Sequence, residues 1–281
     1  MKIRFWGVRG SLPSPGPDTA LVGGNTACVE VTTPTTRVIL DAGSGLRALG
    51  DALVARGEHR DTTLLLSHVH WDHLMGVPFF APLYMPGCKI TFITGGHGVP
   101  LGEVLARQMS QPMFPVGLDR VGGSVVCREL APAERLTVGD LEIETAMLHH
   151  PDPVYAFRLS YGGRSVVFAT DTEHFACVDP RLARLARGAD LLIYDAQYTP
   201  EEYAGEVGPP RTGWGHSTFA AGAELARAAG VGTLALFHHD PRRTDAEVAE
   251  IVQRARALFA DTVAAREGLT VELEAVRSRA A

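Results

Sequence analysis

A chain of 281 residues with 46% hydrophobic residues can bury a sizeable core, and 26 basic against 32 acidic residues leave a formal charge of −6 with no basic run at either end. That balance argues against a protein that holds long nucleic acid by backbone electrostatics. No stretch approaches the ~20 apolar residues of a membrane span, and Met1–Phe5 runs straight into a strand-like segment rather than a signal peptide, so the expectation is one cytoplasmic domain over residues 1–281.

In chain order, strand signals fall at Lys2–Trp6, Ala27–Thr32, Arg37–Asp41, Thr62–Ser67 and Lys89–Thr94, with a helix over Gly45–Arg56. A second, similar half offers strands at Val125–Glu129, Leu141–Leu148, Val154–Tyr161, Ser165–Thr170, Leu191–Asp195 and Thr233–Phe237. Helices are expected at Val99–Ser110, Asp179–Arg187, Thr218–Ala229 and Thr244–Ala265. Periodicity alone makes this an α/β protein, and strands with helices both early and late fit two packed sheets covered by helices. Gly and Pro clusters at Gly7–Pro17, Gly95–Pro100 and Gly205–Gly215 read as loops, suited to the rim of a pocket. Cys28, Cys88, Cys127 and Cys177 are dispersed without CxxC spacing, which points to buried thiols rather than bridges or a zinc knuckle.

The densest chemistry is Ser67-His68-Val69-His70-Trp71-Asp72-His73, which follows the apolar run Leu64-Leu65-Leu66. Imidazole and carboxylate suit zinc, manganese and iron, and four such groups lie within six residues. His68 and His70 project to one side if the strand continues, whereas His70 and His73 share a face only if a helix starts after Trp71. The simplest reading is a strand end feeding a helix. Three further apolar runs end in ligand-capable residues: Leu148-His149-His150, Ala169-Thr170-Asp171 and Phe237-His238-His239. Leu191–Asp195 ends in a carboxylate, and Gly215-His216-Ser217-Thr218 precedes an alanine-rich helix that Ser217 or Thr218 would cap.

On these motifs the chain resembles the metallo-β-lactamase superfamily, in particular its phosphodiesterase branch, which includes tRNase Z and the phosphonate-pathway cyclic phosphodiesterase. The resemblance covers nearly the whole chain and implies a four-layer αββα sandwich. It implies that His68, His70 and His150 hold one divalent ion and Asp72, His73 and His238 another, with Asp171 bridging them; His149 and His239 are each exchangeable with their neighbour. Asp41 matches a strand-end aspartate that supports the metal loop. Asp195 and His216 match a carboxylate–histidine pair in which the imidazole protonates the leaving oxygen, while metal-bound hydroxide attacks and Asp72 aligns or deprotonates that water. Zinc is the expected metal, with manganese or iron as alternatives.

His150 and Asp171 are only 21 positions apart, which leaves no room for the tRNA-gripping arm of tRNase Z. The favoured substrate is therefore a small phosphodiester, such as a cyclic phosphate or nucleotide. Alternatives are a thioester or lactam hydrolase or di-iron redox enzyme on the same fold, a metal-containing binder or sensor, and an armless tRNase Z-like endoribonuclease. A homodimer is the expected assembly by the same resemblance. The loops Gly7–Ser11 and Gly23–Thr26 offer backbone N–H groups to a phosphate, although such turns need no ligand. Trp71 and Trp214 stand beside site residues and are expected to shape the pocket; Phe79, Phe80, Tyr84, Met109, Met113 and Phe114 read as core or lid rather than as a stacking platform.

Overall fold

Runs of Val, Ile, Leu and Phe that alternate sides build two seven-stranded sheets in the computed structural model, which describes residues 1–131 and 133–275. The first sheet begins with β1 (Lys2–Gly7), β2 (Cys28–Thr32), β3 (Arg37–Leu40), β4 (Asp61–Leu65), β5 (Lys89–Gly95) and β6 (Ser124–Leu130). The second runs β7 (Leu136–Val138), β8 (Leu141–Leu148), β9 (Val154–Tyr161), β10 (Arg164–Ala169), β11 (Leu191–Asp195), β12 (Thr233–Phe237) and β13 (Thr262–Ala264). A last strand, β14 (Thr270–Glu272), returns to the first sheet and pairs antiparallel with β1.

The central strands β3, β10, β11 and β12 are buried on both faces, which explains why they read as continuous apolar runs, whereas β8 alternates and β6 is largely exposed. In β10, Val166 and Phe168 point into a core shared with Phe5, Val31 and Leu40 of the first sheet, whereas Val167 and Ala169 point outward. Three helices cover that outer face: α4 (Pro180–Ala186), α6 (Phe219–Ala229) and α7 (Asp245–Leu258). On the other side, Ile39, Leu64 and Phe92 pack outward against α1 (Gly45–Ala55) and α3 (Leu101–Gln108) through Leu46, Leu49 and Leu105. The result is the expected order helix, sheet, sheet, helix. Full burial of each such Leu, Ile or Phe side chain contributes about 1.5–3 kcal/mol.

Several boundaries differ from expectation. The strand expected at Val125–Glu129 belongs to the first sheet, where β6 pairs parallel with β5. The helix expected over Thr244–Ala265 stops at Leu258, because Thr262–Ala264 pairs parallel with β12. β7 and β14 have three residues each, too few for alternation to register. Two of the four thiols, Cys127 and Cys177, are exposed rather than buried. Among the described residues no helix is long and apolar enough to cross a membrane.

Candidate metal centre

Parallel pairing brings the ligand-bearing strand ends to one edge of the sandwich. β3 and β4 run parallel in the first sheet, as do β10, β11 and β12 in the second. β8 is antiparallel to β9, which is antiparallel to β10, so β8 ends on the same side. Asp41 and His238 directly follow β3 and β12, Asp171 follows β10 after the intervening Thr170, and each is left-handed, with φ of 59°, 58° and 52° in that order. A non-glycine residue there costs of order 1 kcal/mol or more, and such residues concentrate at functional sites.

The first donor group is His68, His70 and His150. β4 gives way to Leu66-Ser67-His68, and the chain then turns into the one-turn helix α2 (Trp71–Leu74). Ser67 Oγ lies 2.9 Å from Asp41 Oδ2 and 3.0 Å from His68 Nδ1. Ser67 thus donates to the carboxylate and accepts Nδ1–H, which leaves His68 Nε2 facing the site. His70 Nε2 lies 2.9 Å from Asp152 Oδ2, and His150 Nδ1 lies 2.8 Å from the Gly215 carbonyl. The remaining nitrogens, His70 Nδ1 and His150 Nε2, face each other at 3.1 Å.

Asp72, His73, Asp171 and His238 form the second group, all buried. His73 Nδ1 is 2.7 Å from Asp41 Oδ2, so Asp41 orients both the loop and this imidazole. His73 Nε2 and His238 Nε2 are 3.3 Å apart, and Asp171 Oδ2 lies 3.2 Å from each. Asp171 Oδ1 points instead toward His68 Nε2, at 3.9 Å. One carboxylate therefore reaches both groups.

A divalent ion fits each group. A tetrahedral ion with donors at 2.0–2.1 Å would set them about 3.3 Å apart, close to the nitrogen pairs observed. Among the described residues His68 Nε2 is buried without a hydrogen-bond partner, and His70 Nδ1 and His150 Nε2 face each other while their other nitrogens are engaged by Asp152 and the Gly215 carbonyl, so the three nitrogens of the first group suit a shared cation. Burial pushes the His68 imidazole well below its ordinary pKa, in keeping with a neutral ligand. Burial opposes ionisation of Asp72 and Asp171, yet His73 and His238 hold both carboxyl groups well below the usual range. His73 is raised despite burial, by Asp72, Asp171 and Asp41.

Beside these groups, Asp195 ends β11 with Oδ2 2.9 Å from His216 Nδ1, while Asp171 Oδ1 is 3.8 Å from the same nitrogen. Burial lowers the His216 pKa, but the charge and hydrogen bond of Asp195, with help from Asp171 and Asp72, push it up to about 9. Thr218 Oγ1 caps α6 by accepting from Ala221 N–H, so the cap and the pair occupy different residues of the same segment.

The neighbouring histidines point elsewhere. His149 is exposed and contacts Arg181, and His239 Nε2 donates to the Ala265 carbonyl. Ser67 and Asp152 carry supporting contacts that local spacing does not announce. Glu173 accepts from Tyr203 OH, Gly213 N–H and Gly215 N–H, which pins the loop that leads into His216. The Gly7–Ser11 loop is no phosphate cradle, because its amides are engaged internally: Val8 and Arg9 bond Asn25 O, Gly10 bonds His239 O, and Ser11 bonds Asp72 Oδ2. Asn25 and Thr26 amides are likewise engaged by Glu267 and Ser44. Trp71, Phe79 and Met113 are exposed and line a cleft of about 390 Å³, whereas Phe80 and Met109 are core.

Residues 36–239 match the family described as the beta-lactamase superfamily domain. A protein called Ribonuclease Z from Synechococcus sp. (strain WH7803) is 25% identical over 263 residues, covering 75% of this chain and 79% of its own length. The metallo-beta-lactamase fold protein YhfI from Bacillus subtilis superposes with a TM-score of 0.73 at 18% identity, covering 96% of this chain and 98% of that one. A diphosphatase from the PhnP family gives a TM-score of 0.70 at 17% identity and 98% coverage of both chains. At such identities the two structures bear on the fold. The family match over most of the chain establishes that it belongs to the beta-lactamase superfamily, the two structures show that it has the metallo-β-lactamase fold, and with its Ribonuclease Z relatives the chain is a hydrolase.

Proposed function

We propose that the protein is a dinuclear, zinc-dependent phosphodiesterase acting on a small or cyclic phosphodiester. The observation that carries the reading is His216, held by Asp195 at 2.9 Å and standing 3.8 Å from Asp171, which itself reaches both donor groups. In this reading His68, His70 and His150 hold one ion, Asp72, His73 and His238 hold the other, and Asp171 lies between them. Bound divalent ions lower the pKa of water and neutralise phosphate charge.

His216 supplies the proton for the departing oxygen. With Nδ1–H given to Asp195, its other proton sits on Nε2, and Asp195 continues to stabilise the imidazolium when cations neutralise Asp72 and Asp171. Asp72 is a poor base, since its carboxyl is held well below the usual range. Its Oδ2 already accepts from Ser11 N–H, so its part is to orient rather than to take a proton. Arg211, stacked 4.4 Å over Trp214 in the loop leading to His216, adds positive charge on that side of the site.

Two features support a small substrate. β9 and β10 are joined directly through Gly162-Gly163, with φ of 58° and 73°, so no arm stands between His150 and Asp171. The net charge of −6 also disfavours a long polyanion. The relatives called Ribonuclease Z favour a second reading, cleavage of a precursor tRNA. Homodimerisation belongs to the proposal and is read by sedimentation.

The decisive experiment is turnover of bis(p-nitrophenyl) phosphate by the protein as purified, after chelation and after reloading with zinc or manganese, beside His216→Ala. Hydrolysis should vanish with chelation, return with metal, and fall by about 10²–10⁴-fold in the variant, the usual contribution of a general acid. Full metal occupancy without turnover would defeat the proposal. Cleavage of a precursor tRNA in preference to cyclic nucleotides would move the assignment to the second reading.

A further inference from the structure

A histidine that ligates a metal almost always gives its other ring N–H to a carbonyl, carboxylate or comparable acceptor, which fixes the tautomer and aims the ring. Four of the five imidazoles assigned above have such a partner: Ser67 for His68, Asp152 for His70, Asp41 for His73 and the Gly215 carbonyl for His150. His238 is the exception. Its Nε2 faces Asp72 and Asp171 at 3.2 Å, and its Nδ1 is buried with no hydrogen-bond partner among the described residues.

One unpaired acceptor is at hand. Gln197 Oε1 is also buried without a partner, while Gln197 Nε2 donates to Tyr198 OH at 3.2 Å. The Gln197 backbone is anchored on both sides, its N–H donating to Asp195 Oδ1 and its carbonyl accepting from Arg243. Both unpaired atoms face the same notch. A Cβ added at Gly10 would lie 2.3 Å from His238 Nδ1 and 2.7 Å from Gln197 Oε1. Only glycine at position 10 leaves this space open, and a buried donor and acceptor left apart there would each carry an unrecovered desolvation penalty.

We infer that Gln197 is a positioning residue for His238: its carboxamide oxygen takes Nδ1–H across the notch beside Gly10 and so presents Nε2 to the cation. The inference rests on the reading of His238 as a metal ligand.

The test uses zinc itself. Competition with a chromophoric chelator gives stoichiometry and affinity for the full chain, for Gln197→Met, which keeps the length and removes the acceptor, and for Gln197→Glu, which restores one. Gln197→Asn, which stops short of the notch, serves as a second acceptor-removing variant. Wild type should bind two zinc ions; Met and Asn variants should lose about 10–100-fold in affinity for one of them, and Glu should recover it. With ¹⁵N-labelled histidine, zinc-loaded wild type should show a slowly exchanging His238 Nδ1–H resonance that shifts or vanishes in the Met and Asn variants. Two zinc ions at wild-type affinity and an unchanged resonance in those variants would overturn the inference while leaving the metal centre intact. A wild type that binds no zinc would overturn the metal centre and, with it, this inference.

Discussion

His238 and His239 are adjacent in sequence and both buried, yet they face different partners, and His149 and His150 likewise diverge. At a strand end, consecutive side chains diverge, so one of each pair enters the cleft and the other leaves it. His239 stays neutral to donate Nε2–H to the Ala265 carbonyl, and burial pushes its pKa down to about 4. Between that value and the unfolded value near 6.5, the unfolded chain binds a proton that the folded protein refuses. Stability from this residue is therefore complete above about pH 6.5 and is lost as pH falls toward 4, by about 3 kcal/mol at most. Urea midpoints of wild type and His239→Gln, measured from pH 7.5 to pH 4, should converge on the acid side. Parallel curves across that range would show that His239 has no such role.

Elements in this fold are bounded by side chains that do local work. α7 begins with a reciprocal box: Thr244 Oγ1 accepts from Glu247 N–H, and Glu247 accepts from Thr244 N–H. Thr244→Ala should lower stability by about 1 kcal/mol and leave phosphodiester turnover unchanged, because the cap serves only the helix end. A loss of turnover at full folding would instead tie α7 to the site. The box spans only four consecutive residues, so the start of this helix is set locally, whereas its end is not. Nothing local separates Leu258 from Thr262 as helix or strand, and pairing with β12 decides it. Short strands and the sheet membership of β6 were illegible for that reason too, since they depend on a partner distant in sequence.

At the scale of the molecule, the two sheets bring the buried imidazoles and carboxylates of both donor groups together at one edge. Metal that binds only the folded chain stabilises it by mass action, by about 2.7 kcal/mol for each site at a free concentration 100-fold above its dissociation constant. Chelation should lower the thermal midpoint by several degrees, and zinc should restore it; an unchanged midpoint would mean that the site does not depend on metal. The sequence by itself determined the α/β class, most strand positions, the cluster His68, His70, Asp72 and His73, and the pairing of strand ends with ligand-capable residues. These follow from side-chain chemistry and periodicities of two and 3.6, which are local. Only the tertiary structure decided that His150 and His238 turn inward rather than His149 and His239, that the glycine loop spends its amides internally, and that Ser67, Asp152 and Glu173 aim the site. Those outcomes depend on register between strands and on loops that meet across the sandwich, where contacts join residues far apart in the chain.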